Sequence, residues 1–233
     1  MNPWLMLFFL LLMVGLLGVL LYYLLVVTEG VYLGRRMVVW LYDITAHRYD
    51  AIKALDPEME HWLLARPLHR QVAHIPAPRI LDVATGTGRL PLALLNEPLF
   101  QGRVVGLDAS WRMLQQAAPR LRPYGDRATL VQQTADRLPF PPDYFDAVTC
   151  VEALEFLSVP ETAVREMIRV LKPGGVLLLT RRRGRNGRLF LGRYYEAEPF
   201  AAWLQSLGLS EIQQLRWQVE YDQVYARKPG RDA

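Results

Sequence analysis

Three carboxylates and a glycine-containing turn are the parts of this sequence best placed to do chemistry. The turn is Ala84-Thr85-Gly86-Thr87-Gly88-Arg89, between a β-branched run and a helical one. Two glycines one residue apart allow a tight turn and remove the β-carbons that keep a ligand off the backbone. Asp108 closes the next β-rich run, about 22 residues after Gly86, where an acidic side chain can accept hydrogen bonds from both hydroxyls of a ribose. Turn and carboxylate together predict a nucleoside ligand. Asp82, two residues upstream of the turn, suits a cationic ligand better than a phosphate. Asp136, in Thr134-Ala135-Asp136-Arg137-Leu138-Pro139-Phe140, adds another carboxylate at a later strand end. Where a dinucleotide fingerprint has its third glycine this chain has Pro91, which argues against a pyrophosphate and hence against a nicotinamide cofactor.

These residues need a frame that lines them up. From Arg79 onward short β-branched runs (RILDVA, RVVGLDA, ATLVQQ, FDAVTCV, GVLLLT) alternate with helical ones (GRLPLALLNE, WRMLQQAAPRLR, ETAVREMIRVLK). Strands separated by helices of that length predict a parallel sheet with helices on both faces, and ligands in such sheets bind beyond the carboxyl ends of the strands. The ending LSEIQQLRW and VEYDQVYARK reads as two strands joined without a helix.

The segments LDVATGTGRL, VVGLDAS with WRML, QTADRLPFP, FDAVTCVEALEFL and MIRVLKPGGVLLL, in this order between about Tyr42 and Lys228, resemble the successive motifs of class I S-adenosylmethionine-dependent methyltransferases. They are closest in style to the ubiquinone/menaquinone-biosynthesis and small-molecule branch. The resemblance implies an α/β, Rossmann-like, doubly wound sheet of seven strands with the last antiparallel, and S-adenosyl-L-methionine as cofactor. It implies Asp82 near the methionine amino group, with Ala84, Gly86 and Gly88 along the methionine chain. Asp108, followed by Ala109, would take the ribose hydroxyls. Met113 would pack on the adenine face, and Asp136 with the backbone around Ala135 and Arg137 would read the adenine amino edge. Cys150 and Val151 would flank the methionine moiety and open toward the acceptor.

Methyl transfer from a sulfonium is an in-line displacement with a leaving group already activated, so positioning carries much of the rate and a base is needed only if the acceptor must lose a proton. Glu152, Glu155, His47, Tyr49, Tyr194 and Tyr195 are candidates for that base, and none sits in a motif that assigns it. The arginines of Thr180-Arg181-Arg182-Arg183-Gly184-Arg185-Asn186-Gly187-Arg188 follow the fifth strand and are expected on the cofactor side. There they would suit a phosphate, a carboxylate or an anionic bilayer, or would form a solvated loop. The expected reaction is methyl transfer to a small or lipid-like acceptor, a quinone precursor or a phospholipid headgroup. The alternative is a catalytically silent, membrane-tethered nucleoside-binding module. A net charge of +4 and the run Cys150-Val151-Glu152-Ala153, where an Asn-Pro-Pro-Tyr-like motif would mark a nucleic-acid methylase, predict no nucleic-acid partner.

Ahead of all this, Trp4 to Val27 contains no charge. A helix of that length crosses a hydrocarbon core of about 30 Å. No basic residue precedes it and no small-residue cleavage site follows, unlike a secretory signal. Trp4 at one end and Tyr22 and Tyr23 at the other sit where interfacial aromatics belong, and Arg35 and Arg36 place the following domain on the cytoplasmic side. The expectation is a single-pass membrane protein: an anchor over 1–30, a helical linker or cover over 31–76 that rests on the membrane or on the domain, and the S-adenosylmethionine-binding domain over 77–233. A 233-residue chain with one cysteine and 52% hydrophobic residues leaves room for one ordinary core and for neither a disulfide framework nor a cysteine-based zinc site.

Overall fold

The computed structural model describes residues 2–54 and 56–230. Helix α1 (Pro3–Tyr22) starts with Asn2, whose side chain accepts from the Trp4 amide, and Pro3 at its first position, both favourable to a helix start. It continues through a wider turn over Tyr23–Val27. The combined Pro3–Val27 helix is 25 residues long and apolar enough to cross a membrane; Pro3 to Tyr22 are exposed, while Tyr23, Leu24, Leu25 and Val27 at its end are partly covered by the protein. Helices α2 (Arg35–Thr45), α3 (Tyr49–Lys53), α4 (Pro57–Glu60) and α5 (Arg66–Val72) lead into the sheet.

The domain then alternates β1 (Arg79–Val83), α6 (Arg89–Leu95), β2 (Arg103–Asp108), α7 (Trp111–Leu121), β3 (Ala128–Gln132), β4 (Phe145–Cys150), α8 (Pro160–Val170) and β5 (Leu171–Arg182). Helices α9 (Gly184–Arg188) and α10 (Ala197–Ser206) and strands β6 (Ser210–Arg216) and β7 (Tyr221–Arg227) complete it. The seven strands are ordered β3-β2-β1-β4-β5-β7-β6. Pairing is parallel from β3 to β5, and β7 runs antiparallel to both β5 and β6.

The central strands are buried on both faces, as a parallel sheet between two helix layers requires. Along β1, Ile80 packs with Leu68, Leu94 and Leu121 on one side, while Leu81 and Val83 pack with Val164, Met167 and Leu204 on the other. The chain leaves β1 toward β2 on one side, and β4 adds on the other. Beyond the carboxyl ends of β1, β2 and β4 this switch in direction opens a crevice, where open α/β sheets bind ligands.

The two glycines of the first turn have different reasons. At Gly88 φ is 79°, and an added β-carbon would lie 3.1 Å from Ala117 Cβ and 3.2 Å from Leu121 Cδ1, so it lets α6 close on α7. Gly88→Ala is expected to cost about 2 kcal/mol through left-handed strain and overpacking, read as a lower urea midpoint. At Gly86 (φ 57°) the same added atom would meet only Tyr49 Cε1 at 4.0 Å; this is the glycine that leaves space beside the backbone.

Candidate functional site

A cavity of about 860 Å³, counted with its open mouth, lies over the strand ends, where open α/β sheets bind ligands. Its wall takes one piece from each strand end in sheet order: Gln133 to Asp136 after β3, Asp108 to Ser110 at β2, Ala84 and Gly86 after β1, and Val151 to Ala153 after β4. Its roof is Arg35, Val38, Val39 and Tyr42 of α2 together with Tyr49, and Phe156 to Val159 close the far side. The segment after the apolar helix thus packs over the domain, turning Val38, Val39 and Tyr42 inward and leaving Trp40 and Ile44 exposed.

Four side chains fasten the roof through polar contacts. Arg35 Nη1 reaches Asp136 Oδ2 at 3.0 Å. Asp43 Oδ1 accepts from Ser110 Oγ (2.6 Å) and the Arg112 amide (3.2 Å), at the start of α7. Asp50 accepts from Thr87 Oγ1 at 2.6 Å and pairs with Arg120. Lys53 Nζ lies 3.0 Å from Glu152 Oε2. None of these partners is near its mate in sequence.

Of the residues singled out in the sequence, Ala84, Gly86, Asp108, Ala109, Ala135 and Asp136 share the cavity wall, and Val151 joins them. Asp82, Gly88, Met113 and Cys150 stand outside it. Asp82 is buried and turned inward, accepting from Thr85 Oγ1 (2.7 Å) and Thr149 Oγ1 (2.6 Å), so it braces the turn against β4. Met113 lies within the core beneath the α7 N-terminus. Cys150 is fully buried, and burial, with help from Asp82, pushes its thiol well above the usual range. The arginines at the end of β5 and just after it do not line the cavity. Arg181 and Arg183 pair with Asp222, and Arg182 with Glu155 and Glu220. These acceptors come from the loop after β4 and from the β6–β7 hairpin, which a reading of the loop alone does not bring near. Among the base candidates Glu152 and Tyr49 line the cavity, while Glu155 binds Tyr221 and Arg182, Tyr195 stacks on Trp203, and His47 is exposed on the roof's outer side.

The electrostatics of the wall are uneven. Burial raises the Asp108 pKa to about 6 against the pull of the Ser110, Gly86 and Ala109 amides; the first two donate at 2.8 Å. A carboxylate has about four acceptor positions, so these amides leave room for further donors. Asp136 Oδ1 is buried and makes no well-formed hydrogen bond; the neighbouring Thr134 hydroxyl and Arg35 hold this carboxyl below the usual range. Burial raises Glu152, but Arg89 and Lys53 outweigh it and keep the carboxyl ionised below its ordinary pKa. Tyr49 is pushed up, by burial first and then by the Glu152 charge, and stays a neutral phenol. Ala84 (φ 58°) and Glu152 (φ 52°) are both left-handed without being glycine, and they sit at the ends of adjacent strands β1 and β4. Such strain persists where surrounding structure enforces it, and it concentrates at functional sites. The Glu152 amide is held by Thr180 Oγ1 at 2.6 Å.

These features fit a cationic nucleoside. A carboxylate with spare acceptor capacity ends β2, an under-bonded carboxylate oxygen lies past β3, and open backbone at Gly86 lies between them and β4. Residues 80–175 match the methyltransferase domain family. With the sheet order and the β2 carboxylate, that match makes this part of the chain similar to class I, S-adenosylmethionine-dependent methyltransferase domains. Over 144 residues the chain is 38% identical to the ubiquinone/menaquinone biosynthesis C-methyltransferase UbiE of Syntrophotalea carbinolica, covering 60% of this chain and 58% of that protein. It is 39% identical over 140 residues to the demethylmenaquinone methyltransferase of Symbiobacterium thermophilum, covering 58% and 55%. The match thus spans little more than half the length of these curated relatives. Among solved structures, a SAM-dependent methyltransferase from Aquifex aeolicus superposes with a TM-score of 0.63 at 18% identity, over 80% of this chain and 98% of that one. The [4+2]-cyclase SpnF superposes at 0.69 and 20% identity, over 84% and 97%. At these identities the likeness is one of fold, and the reaction must be argued from the site.

Proposed function

We propose that this chain transfers a methyl group from S-adenosylmethionine to a ring carbon of a membrane-borne quinone precursor, with Pro3–Val27 as its anchor and the domain on the cytoplasmic side. The observation that carries the acceptor is the cavity's second half. Val38, Val39, Tyr42, Phe156, Leu157 and Val159 make an apolar, aromatic chamber joined to the row of carboxylates. Arg35 is the sole Lys or Arg in the wall among the described residues, and it is paired with Asp136. A flat uncharged ring suits that lining; a phosphate headgroup would lack a free cation. The names of the curated relatives point the same way, and Arg35 and Arg36 after the span favour the cytoplasmic side.

In this reading Asp108, beside Ala109, accepts from the ribose hydroxyls, and Asp136 with the Ala135 backbone meets the adenine edge. Ala84 and Gly86 give the methionine chain room against the backbone. Asp82 and Gly88 act through the turn they shape, and Met113 and Cys150 support the wall from behind. The bound cofactor supplies an electrophilic methyl group on a sulfonium with a neutral thioether as leaving group. Asp108, whose carboxylate is bonded to backbone amides, favours a cationic donor over its neutral product. Both Glu152 oxygens are taken, by Arg89 and Lys53, so this residue holds charge and does not move protons. Tyr49 is a donor at working pH, able to hold an acceptor oxygen. The roof keeps water from the apolar half, and rate comes chiefly from positioning.

Two measurements test this. Incubating the intact protein with membranes and methyl-labelled S-adenosylmethionine should give a quinone-type ring that gains one carbon-bound methyl. Label in a phospholipid headgroup refutes the acceptor, and cofactor binding without any label transfer refutes catalysis. Separately, affinity for S-adenosylhomocysteine by calorimetry should fall as pH drops through about 6. Below that pH the Asp108 carboxyl is protonated and loses acceptor capacity, and above it the affinity levels off.

A further inference from the structure

Two hydrogen bonds join the end of the apolar helix to a turn far along the chain. Tyr23 Oη donates to the Leu189 carbonyl at 2.7 Å, and Tyr32 Oη donates to the Leu191 carbonyl at 2.9 Å. The two tyrosine rings stack at 6.1 Å with 14° between planes. The turn itself is fixed from inside, because Phe190 is 1% exposed and packs with Val31, Val38 and Phe156. Its flanking side chains point outward, Leu189 42% and Leu191 68% exposed, with Leu33 also exposed. Arg193 then ties the turn to the cavity, donating to the carbonyls of Glu155 (3.0 Å), Leu157 and Ser158 (3.3 Å). Residues 157–159 wall the chamber, and Val159 is exposed at its rim.

A helix spanning a bilayer puts its terminal tyrosines at headgroup level. Whatever is hydrogen-bonded to Tyr23 lies at that depth too. We propose that the Leu189–Leu191 turn is a second membrane contact. Leu189 and Leu191 enter the boundary between headgroups and acyl chains beside the helix end, and through Arg193 they hold the 157–159 wall against the bilayer, so that an acceptor with an apolar tail reaches the chamber from the lipid side. The inference rests on the anchor reading given under Proposed function. Three exposed leucines are far too few for a stable protein interface, which takes roughly 800 Å² per partner. Arg185 and Arg188, exposed just upstream, and Arg36, exposed on α2, suit anionic headgroups.

The buried Cys150 permits labelling at single introduced cysteines. Full-length protein carrying Leu191→Cys, or Leu99→Cys in the exposed loop at the opposite end of the sheet, is labelled with an environment-sensitive fluorophore and reconstituted into phosphatidylcholine/phosphatidylglycerol vesicles. Flotation reports insertion of the helix. At Leu191 the label should be quenched by lipid-borne spin labels and protected from iodide; at Leu99 the reverse should hold. The Leu189→Asp/Leu191→Asp double variant should lose turnover on a long-tailed acceptor in vesicles by on the order of tenfold, with turnover on a short-chain soluble analogue unchanged. Iodide access at Leu191 equal to that at Leu99 in floated protein overturns the proposal. So does protection from iodide without lipid quenching, which would mean a protein contact. Protein that fails to float refutes the anchor itself, a result distinct from either.

Discussion

Replacing Asp108 by alanine should weaken binding of S-adenosylhomocysteine by on the order of 10²-fold, with the domain no less stable than before. A hydrogen bond to a charged acceptor is worth about 1.5–3 kcal/mol, and each 1.4 kcal/mol is tenfold in affinity, so losing one or both of the proposed ribose contacts gives this scale. Stability should move the other way. Burial raises the Asp108 pKa to about 6 from an ordinary 3.8, so the folded state prefers the protonated form. Its contribution to stability is present below the ordinary pKa and lost as pH rises through 6. A neutral residue escapes that penalty at neutral pH. Asp108→Asn, which keeps an acceptor for the Gly86 amide, separates the roles: affinity should still fall in calorimetry while the thermal midpoint holds or rises. An affinity change below about threefold, well under one charged hydrogen bond, would remove Asp108 from the binding site.

Arg89→Ala should be the most destabilising single change in the domain, by about 3–5 kcal/mol. The Arg89 side chain is 12% exposed, contacts Glu60 through Nε (2.5 Å) and Nη2 (2.8 Å), and reaches Glu152 Oε1 with Nη1 at 2.7 Å. Its guanidinium also covers the Trp217 ring at 5.2 Å. Removing it strands Glu60 and leaves Glu152 with Lys53 alone, both in poorly hydrated surroundings. At about 2–4 °C per kcal/mol for a chain of this size, the midpoint should fall by on the order of 10 °C. The cause is the orphaned charge rather than lost volume, so Arg89→Met should be nearly as damaging. Adding Glu60→Gln and Glu152→Gln to Arg89→Met should recover part of the loss. Damage by Arg89→Ala with full relief by Arg89→Met would make packing the cause instead.

The sheet and the carboxylates over its edge were legible because they obey short-range rules. Buried parallel strands read as apolar runs, Asp108 closes β2 about 22 residues after Gly86, and Asp136 comes just after β3. The roof was less legible. Arg35 to Thr45 is apolar on two faces, Val38, Val39 and Tyr42 on one and Trp40 and Ile44 on the other, so periodicity identifies a helix without saying which face meets the domain. The polar contacts that decide it bridge long separations, as between Arg35 and Asp136 or Asp43 and Ser110. The pairing of the arginines over 180–188 is illegible for the same reason, since Asp222 and Glu220 lie in a distant hairpin. The inward turn of Asp82 depends on two threonines, and Thr149 is supplied by a different strand. The left-handed backbone at Ala84 and Glu152 has no signature in residue type at all.

The lone thiol of Cys150 has a bearing on the chemistry proposed for its neighbours. Quinones are electrophiles that add to thiolates, and a protein handling their precursors meets oxidised ring forms. Nucleophilic attack by cysteine requires both the ionised sulfur and an open approach, and Cys150, sealed in β4 with its ionisation suppressed, offers neither. With the proposed acceptor, the one cysteine would therefore be closed to arylation, and loss of activity under oxidising conditions would have to arise elsewhere.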